Sequence, residues 1–138
     1  MKMRHSNSEI WTHLVFSTKE HRAVFDDQMI PVIRKLIAEF ISEIPDHQGS
    51  FEILADHIHL LIKLPGNMSV NELAEKVQSL ISTRLKLEGF RKEVEWEENF
   101  HAHSVSVSKL STEKNLIERQ LIKHKDMSLE EELRFLGM

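Results

Sequence analysis

Two histidines near the middle of the chain have the spacing of a pair that binds a metal ion or a phosphate. His57 and His59 lie in residues 56–63, DHIHLLIK, which continue an apolar segment and are followed by Leu64 and the turn-forming pair Pro65-Gly66. This pattern predicts a buried strand that ends in a turn. Side chains alternate along a strand, so both imidazoles point to one face, about 7 Å apart. The alternative is that they are only the polar face of a half-buried strand.

A second pair, His101 and His103, has the same spacing in residues 101–107, HAHSVSV. The alternation of polar and apolar residues again predicts a strand, with both rings on one face. We interpret this pair as a surface or DNA-facing pair, with metal binding as the alternative.

A polar stripe is predicted on a helix over residues 115–124, NLIERQLIKH. Leu116, Gln120 and His124 are spaced by four and therefore share one helical face. A glutamine and a histidine on the stripe that begins with Leu116 indicate a face that is not purely core. The alternative is a stripe that drifts from the core into solvent.

The surrounding pattern predicts the elements that position these residues. Strands are expected at 9–18, 51–55, 57–64 and 101–107; helices are expected after Asp26 or Asp27, from the capping box Ser69–Glu72 to Gly89, from Ser111 or Thr112 to about Lys125, and from the capping box Ser128–Glu131. This order predicts an α+β fold, a ferredoxin-like antiparallel sheet (βαββαβ) with a C-terminal helical extension. We expect the helices on one face of the sheet. The strand with His57 and His59 should be central, because it is apolar on both sides.

Composition limits the classes of protein. A chain of 138 residues without linkers or repeats predicts a single domain, 1–138. It contains no cysteine, which excludes thiolate metal sites and disulfides. The net charge of −4 does not indicate a nucleic-acid binder, but a local basic face suffices for one. No apolar run of membrane-spanning length and no signal-like segment is found, so we expect a cytoplasmic protein without a membrane partner.

Taken in order along the chain, these motifs resemble a known family. The chain is similar over nearly its whole length to the single-tyrosine HUH transposases, small enzymes that move the simplest bacterial insertion sequences as single-stranded DNA. The segments that carry the resemblance are residues 13–19 (HLVFSTK), 56–61 (DHIHLL), Trp96 with 104–106 (SVS), 116–120 (LIERQ) with His124, and 128–132 (SLEEE).

The resemblance implies a metal site, a nucleophile and a nucleic-acid ligand. It assigns His57, His59 and Gln120 as ligands of a divalent ion, Mg²⁺ or Mn²⁺, which polarises the scissile phosphate. In the family a tyrosine one helical turn before the glutamine attacks that phosphate. The family acts as a dimer on imperfect hairpins in single-stranded DNA. We therefore expect a homodimer that binds single-stranded or hairpin DNA, with RNA as a further candidate ligand.

The chain departs from the family at the nucleophile. Leu116 occupies the tyrosine position, and the sequence contains no tyrosine at all. Leucine has no nucleophilic atom, and Ser111 or Thr112, a turn or more away, would need an activating base. Lys123 stands where many relatives carry a histidine.

Basic side chains outside the motifs are candidates for phosphate contacts. They are Lys19, Arg22, Lys76, Arg84, Lys86, Arg91 and Lys92. The alternative for each is an ordinary solvated face.

The sequence therefore predicts a transposase-like protein that binds single-stranded or hairpin DNA without cleaving it. Such a protein would act as a nucleic-acid-binding regulator, or as an inhibitor that forms mixed dimers with active relatives. One alternative is a metal-dependent nuclease that uses activated water, since a metal-bound water is a competent nucleophile. The other is a dimeric remnant that binds no nucleic acid.

Overall fold

Strands and helices alternate in the order predicted from the sequence. The computed structural model describes residues 9–44 and 48–119. Its main elements are β1 (Trp11–Ser17), α1 (Met29–Glu43), β2 (Gly49–Ile53), β3 (His57–Lys63), α2 (Val70–Leu87), β4 (His101–Val105) and α3 (Leu110–Glu118). Two 3-10 turns, Lys19–His21 and Val107–Lys109, follow β1 and β4. The α+β fold class is confirmed.

The sheet is antiparallel and four-stranded, in the order β2-β3-β1-β4. The strand with the His57–His59 motif is therefore an inner strand, as predicted. Its register with β1 sets Ser17 opposite His57 and Val15 opposite His59. On the other side of β1, His13 lies opposite His103 of β4. The pairing thus brings histidines from three strands to one region of the sheet.

The two faces of the sheet bury different sets of side chains. Ile58, Leu60 and Ile62 face the larger core, where they pack with the apolar stripes of α1 and α2. Ile117 of α3 is fully buried on the opposite face. It packs there with Trp11, Leu61 and Val105. The prediction that the helices share one face is correct for α1 and α2 and wrong for α3.

The predicted cap is correct for α2 and wrong for α1, which begins at Met29 with Gln28 as its N-cap. The carboxylate of Asp26 accepts hydrogen bonds from the backbone N–H groups of Gln28 and Met29. Ser69 and Glu72 form the reciprocal capping box of α2. Gly89, just beyond α2, has a φ of 89°, which glycine adopts without the steric cost of a Cβ.

The predicted start of α3 is wrong. The helix begins at Leu110, and neither Ser111 nor Thr112 is its N-cap. The 3-10 turn after β4 leads directly into the helix, since the N–H of Lys109 already donates to the carbonyl of Ser106 at 2.9 Å. The predicted continuation to Lys125 and the terminal helix lie outside the described residues. Within the described ranges, no helix has the length and apolarity that crossing a bilayer requires.

Candidate functional site

Four imidazoles form what we call the histidine face: His13 of β1, His57 and His59 of β3, and His103 of β4. Strand alternation and antiparallel register place them on the side of the sheet that α3 covers. His13, His57 and His59 are fully buried. Burying imidazoles requires that their nitrogen atoms find polar partners, so their hydrogen bonds define what the site can do.

The two histidines predicted from the motif lie side by side. Their ring centroids are 5.1 Å apart and the rings meet edge to face at 70°. Nδ1 of His57 lies 2.7 Å from Oδ1 of Asp56. A carboxylate only accepts hydrogen bonds, so the neutral His57 ring carries its proton on Nδ1. Nε2 is then the nitrogen with a lone pair, which is the state that metal coordination requires.

His59 is held in the same tautomer by a longer relay. Its Nδ1 lies 2.9 Å from Nε2 of His13, and Nδ1 of His13 lies 2.6 Å from Oε2 of Glu113. The carboxylate accepts from His13 Nδ1–H, so Nε2 of a neutral His13 is an acceptor. The Nδ1–H group of His59 therefore donates to it. His59, like His57, carries its lone pair on Nε2.

Glu113 of α3 joins a third imidazole to this relay. Its Oε2 also accepts from Nε2–H of His103 at 2.7 Å. The hydrogen bond from His13 lowers the pKa of the Glu113 carboxyl; the bond from His103 adds to this, while burial acts in the opposite direction. Glu113 is therefore a carboxylate at neutral pH. Its oxygen and one nitrogen from each of the two rings all lie within 4.8 Å of one another, so this His-His-Glu group can hold a metal ion.

The structure gives the positions of some of the predicted site residues, whereas others lie outside the described part of the chain. Leu116 lies on α3, partly buried, one helical turn beyond Glu113. Gln120 and His124 lie outside the described residues. His101 is exposed, and His103 bonds to Glu113. The second His-x-His pair therefore divides between solvent and the histidine face.

Most of the predicted nucleic-acid-binding cations lie against acidic partners. Their closest contacts are Lys19–Glu95 at 3.5 Å, Arg22–Glu20 at 2.8 Å, Arg84–Glu39 at 3.5 Å and Lys92–Asp26 at 3.5 Å. Side chains of Lys19, Arg22 and Lys92 are more than half exposed, and exposed pairs of this kind contribute about 0–1 kcal/mol. Such cations can exchange a carboxylate for a phosphate at little cost.

Five of these cations lie in three separate regions. Lys86, Arg91 and Lys92 line a cleft of about 230 Å³ beyond the end of α2. Lys19 follows the end of β1, where the N–H of Thr18 donates to the carbonyl of Asp56, next to His57. Lys76 borders a different cleft, beside Pro65 and Gly66 at the far end of β3.

Sequence reasoning missed His13 and Glu113 as functional residues. His13 occupies an alternating strand position, but nothing local indicates which strand lies beside it. Glu113 precedes Gln120 by seven residues, two helical turns, so helical spacing alone would have placed it on the face of the Leu116–Gln120 stripe. That signal was present in the sequence.

Comparisons with known proteins agree with this fold and with the motif order. The family model described as "Transposase IS200 like" matches residues 6–120. A REP-associated tyrosine transposase bound to a REP hairpin superposes with a TM-score of 0.61, at 14% identity over 90% of this chain and 73% of that chain. A candidate transposase from Deinococcus radiodurans gives 0.54, at 18% identity over 87% and 97%. At these identities the structural likeness establishes the fold. No curated protein matches the chain.

Proposed function

The chain belongs to the IS200-like transposase family, and from this premise we propose that it binds single-stranded or hairpin DNA without cleaving it. In this proposal it acts as a DNA-binding regulator, or as an inhibitor of active relatives through mixed dimers.

The orientation of the two motif histidines carries the proposal. Asp56 holds His57, and His13 holds His59, so that both rings keep a lone pair on Nε2. Metal-ligating histidines typically have an acceptor of this kind on the other ring nitrogen. We assign His57, His59 and Gln120 as ligands of one divalent ion, Mg²⁺ or Mn²⁺. When bound, such an ion supplies Lewis-acid polarisation of a phosphate oxygen.

The absent nucleophile follows from Leu116. Its hydrocarbon side chain cannot attack phosphorus, and no tyrosine exists elsewhere in the sequence to replace it. Leu116 is partly buried on α3, the helix that covers the histidine face. The metal ligands and the scaffold can therefore persist while the covalent step is lost.

A DNA ligand is supported by fold and charge together. The REP-associated tyrosine transposase with the same fold is bound to a REP hairpin. In this chain Lys19, Arg22, Arg84, Lys86, Arg91 and Lys92 are the proposed phosphate contacts. Neutralising phosphates releases counterions, so binding through these residues should weaken steeply as salt is raised.

The experiment uses labelled single-stranded hairpins of varied sequence, with the full chain and MnCl₂. We expect a salt-dependent mobility shift and intact DNA. Replacing Lys19 and Arg22 by alanine should weaken the shift, whereas Lys35→Ala, an exposed lysine of α1 outside the proposed contacts, should not. Metal-dependent cleavage without a covalent adduct would instead identify a nuclease that uses activated water. Absence of any shift across the hairpins would leave a remnant that binds no DNA.

Metal binding is tested separately by calorimetry with Mn²⁺. His57→Ala should abolish the manganese binding of the natural chain, because it removes one of two imidazole ligands. Manganese binding that survives His57→Ala would contradict the assigned ligands.

A further inference from the structure

We propose that His13, His103 and Glu113 form a second divalent-cation site, suited to zinc and distinct from the His57–His59 pair. The three side chains come from β1, β4 and α3 and converge with their ligand atoms within 4.8 Å. Two imidazoles and one carboxylate are a recognised ligand set for Zn²⁺, with a fourth position left for water. The set contains no thiolate, in keeping with a chain that has no cysteine.

The distances show how little the side chains must move. Oε2 of Glu113 lies 2.6 Å from Nδ1 of His13 and 2.7 Å from Nε2 of His103. Two ligands at about 2.1 Å from a tetrahedral ion lie about 3.4 Å apart, so each contact must lengthen by less than about 1 Å. The side chains of Glu113 and His103 are 14% and 25% exposed, which gives an ion access from solvent to the buried His13 ring. A cation would replace these two hydrogen bonds, and each neutral ring would then carry its one N–H proton on its other nitrogen.

Occupation of this site would act on the neighbouring histidine pair through His13. In the hydrogen-bonded state, Nε2 of His13 accepts from Nδ1–H of His59 across 2.9 Å. An ion on Nδ1 of His13 requires that the single N–H proton of the neutral ring moves from Nδ1 to Nε2. That N–H then donates to Nδ1 of His59, whose own proton moves to Nε2. His59 in this tautomer has no lone pair on Nε2 with which to hold an ion beside His57.

The proposed zinc site is therefore antagonistic to the His57–His59 site. One hydrogen bond between two buried rings allows only one donor, so the two sites prefer opposite directions of the same bond. This antagonism rests on the proposed function, because it assumes that His57 and His59 bind an ion. The zinc site itself does not depend on the proposed function.

The binding test uses the full chain carrying His57→Ala, in which the motif pair is already broken. Zinc calorimetry without DNA should show one site per chain. Adding His103→Ala or Glu113→Gln should weaken that binding at least about tenfold, the scale on which loss of even an outer partner acts. His101→Ala, which removes an exposed imidazole from the same strand, is the matched control and should leave the affinity unchanged.

Wild-type-like zinc affinity after Glu113→Gln would overturn the site, as would an equal loss after His101→Ala. Glu113→Gln preserves side-chain shape, so it decides the question even where His103→Ala fails to fold, as judged by circular dichroism.

The coupling is read from ¹⁵N NMR of the histidine rings in the same His57→Ala chain. We expect the His59 proton on Nδ1 without zinc and on Nε2 with one equivalent of zinc. An unchanged tautomer with zinc bound would refute the antagonism. Neither readout uses DNA, manganese or His57, so a chain that binds no hairpin can still pass both tests.

Discussion

Nε2 of His13 lies 2.9 Å from Nδ1 of His59, and both rings are fully buried. This contact joins the first strand to the His57–His59 motif of the third. Because His13 also bonds to Glu113, the relay continues into α3, the helix that carries Leu116. This helix is thus connected by hydrogen bonds to the proposed metal ligand His59.

Asp56 should support the proposed metal site through His57. Asp56→Ala removes the acceptor 2.7 Å from Nδ1 of His57, so the ring is no longer held with its lone pair on Nε2. We expect manganese affinity to fall about 10–100-fold by calorimetry. Asp56→Asn should lose less, because the amide oxygen still accepts. Asp27→Ala removes an exposed carboxylate elsewhere and is the control. Unchanged affinity in Asp56→Ala would show that the carboxylate does not orient the ring.

Leu116→Tyr should return a phenol to α3 beside the histidine face. The position is partly buried, so the larger ring is expected to lower the free energy of unfolding by about 1–3 kcal/mol. A covalent protein–DNA adduct should form on a labelled single-stranded hairpin when manganese is present. A denaturing gel measures it, with the natural chain and the His57→Ala, Leu116→Tyr double variant as controls. Lack of adduct despite measured hairpin and manganese binding would mean that the active geometry has also been lost.

Leu60 should be among the most sensitive positions of the scaffold. It is fully buried on the inner strand β3, in the core where the sheet packs against α1 and α2. Leu60→Ala leaves a cavity and should destabilise the fold by about 2–5 kcal/mol in urea unfolding. Leu87→Ala is the matched control, because that leucine is 78% exposed; its effect should stay within about 0.5 kcal/mol. Equal losses in the two variants would contradict the assigned core.

Asp26 should make part of the stability depend on pH. The hydrogen bond from the Met29 N–H lowers the pKa of the Asp26 carboxyl most; desolvation opposes it, and the Gln28 N–H and the charge of Lys92 lower the pKa further. A lowered pKa in the folded state stabilises the fold above the ordinary carboxyl pKa, and this contribution disappears as the pH falls through the lowered value. Urea unfolding should therefore separate the natural chain from Asp26→Ala clearly at pH 7, and less at pH 3. If the difference in the free energy of unfolding between the two chains is the same at both pH values, the ionised Asp26 carboxylate does not stabilise the helix.

The proposed homodimer is tested by light scattering. At micromolar concentration the mass should be twice that of the 16.2 kDa chain. A monomer throughout this range would count against the dimer and against inhibition through mixed dimers.

Local sequence patterns determined the elements and much of the motif. The alternation in residues 56–63 predicted β3, its burial and the common face of His57 and His59, because strand geometry has a period of two that needs no distant contact. The capping box Ser69–Glu72 predicted the start of α2 for the same local reason, whereas α1 begins a few residues after Asp26, at Met29. The absence of tyrosine, read from composition and set beside the family resemblance, is the basis of the proposal that the chain binds DNA without cleaving it.

Only the tertiary structure decided which residues surround the motif. His13 reaches His59 because β1 pairs with β3 in one register, and His103 joins because β4 pairs with the other side of β1. Glu113 reaches both rings because α3 docks on the face opposite α1 and α2, through the burial of Ile117 against Trp11 and Leu61. Strand pairing and helix docking depend on contacts between residues far apart in the chain. The periodicity of a segment does not identify the distant segment that it packs against. For that reason only the fold reveals the hydrogen bonds that join His59 to His13 and Glu113.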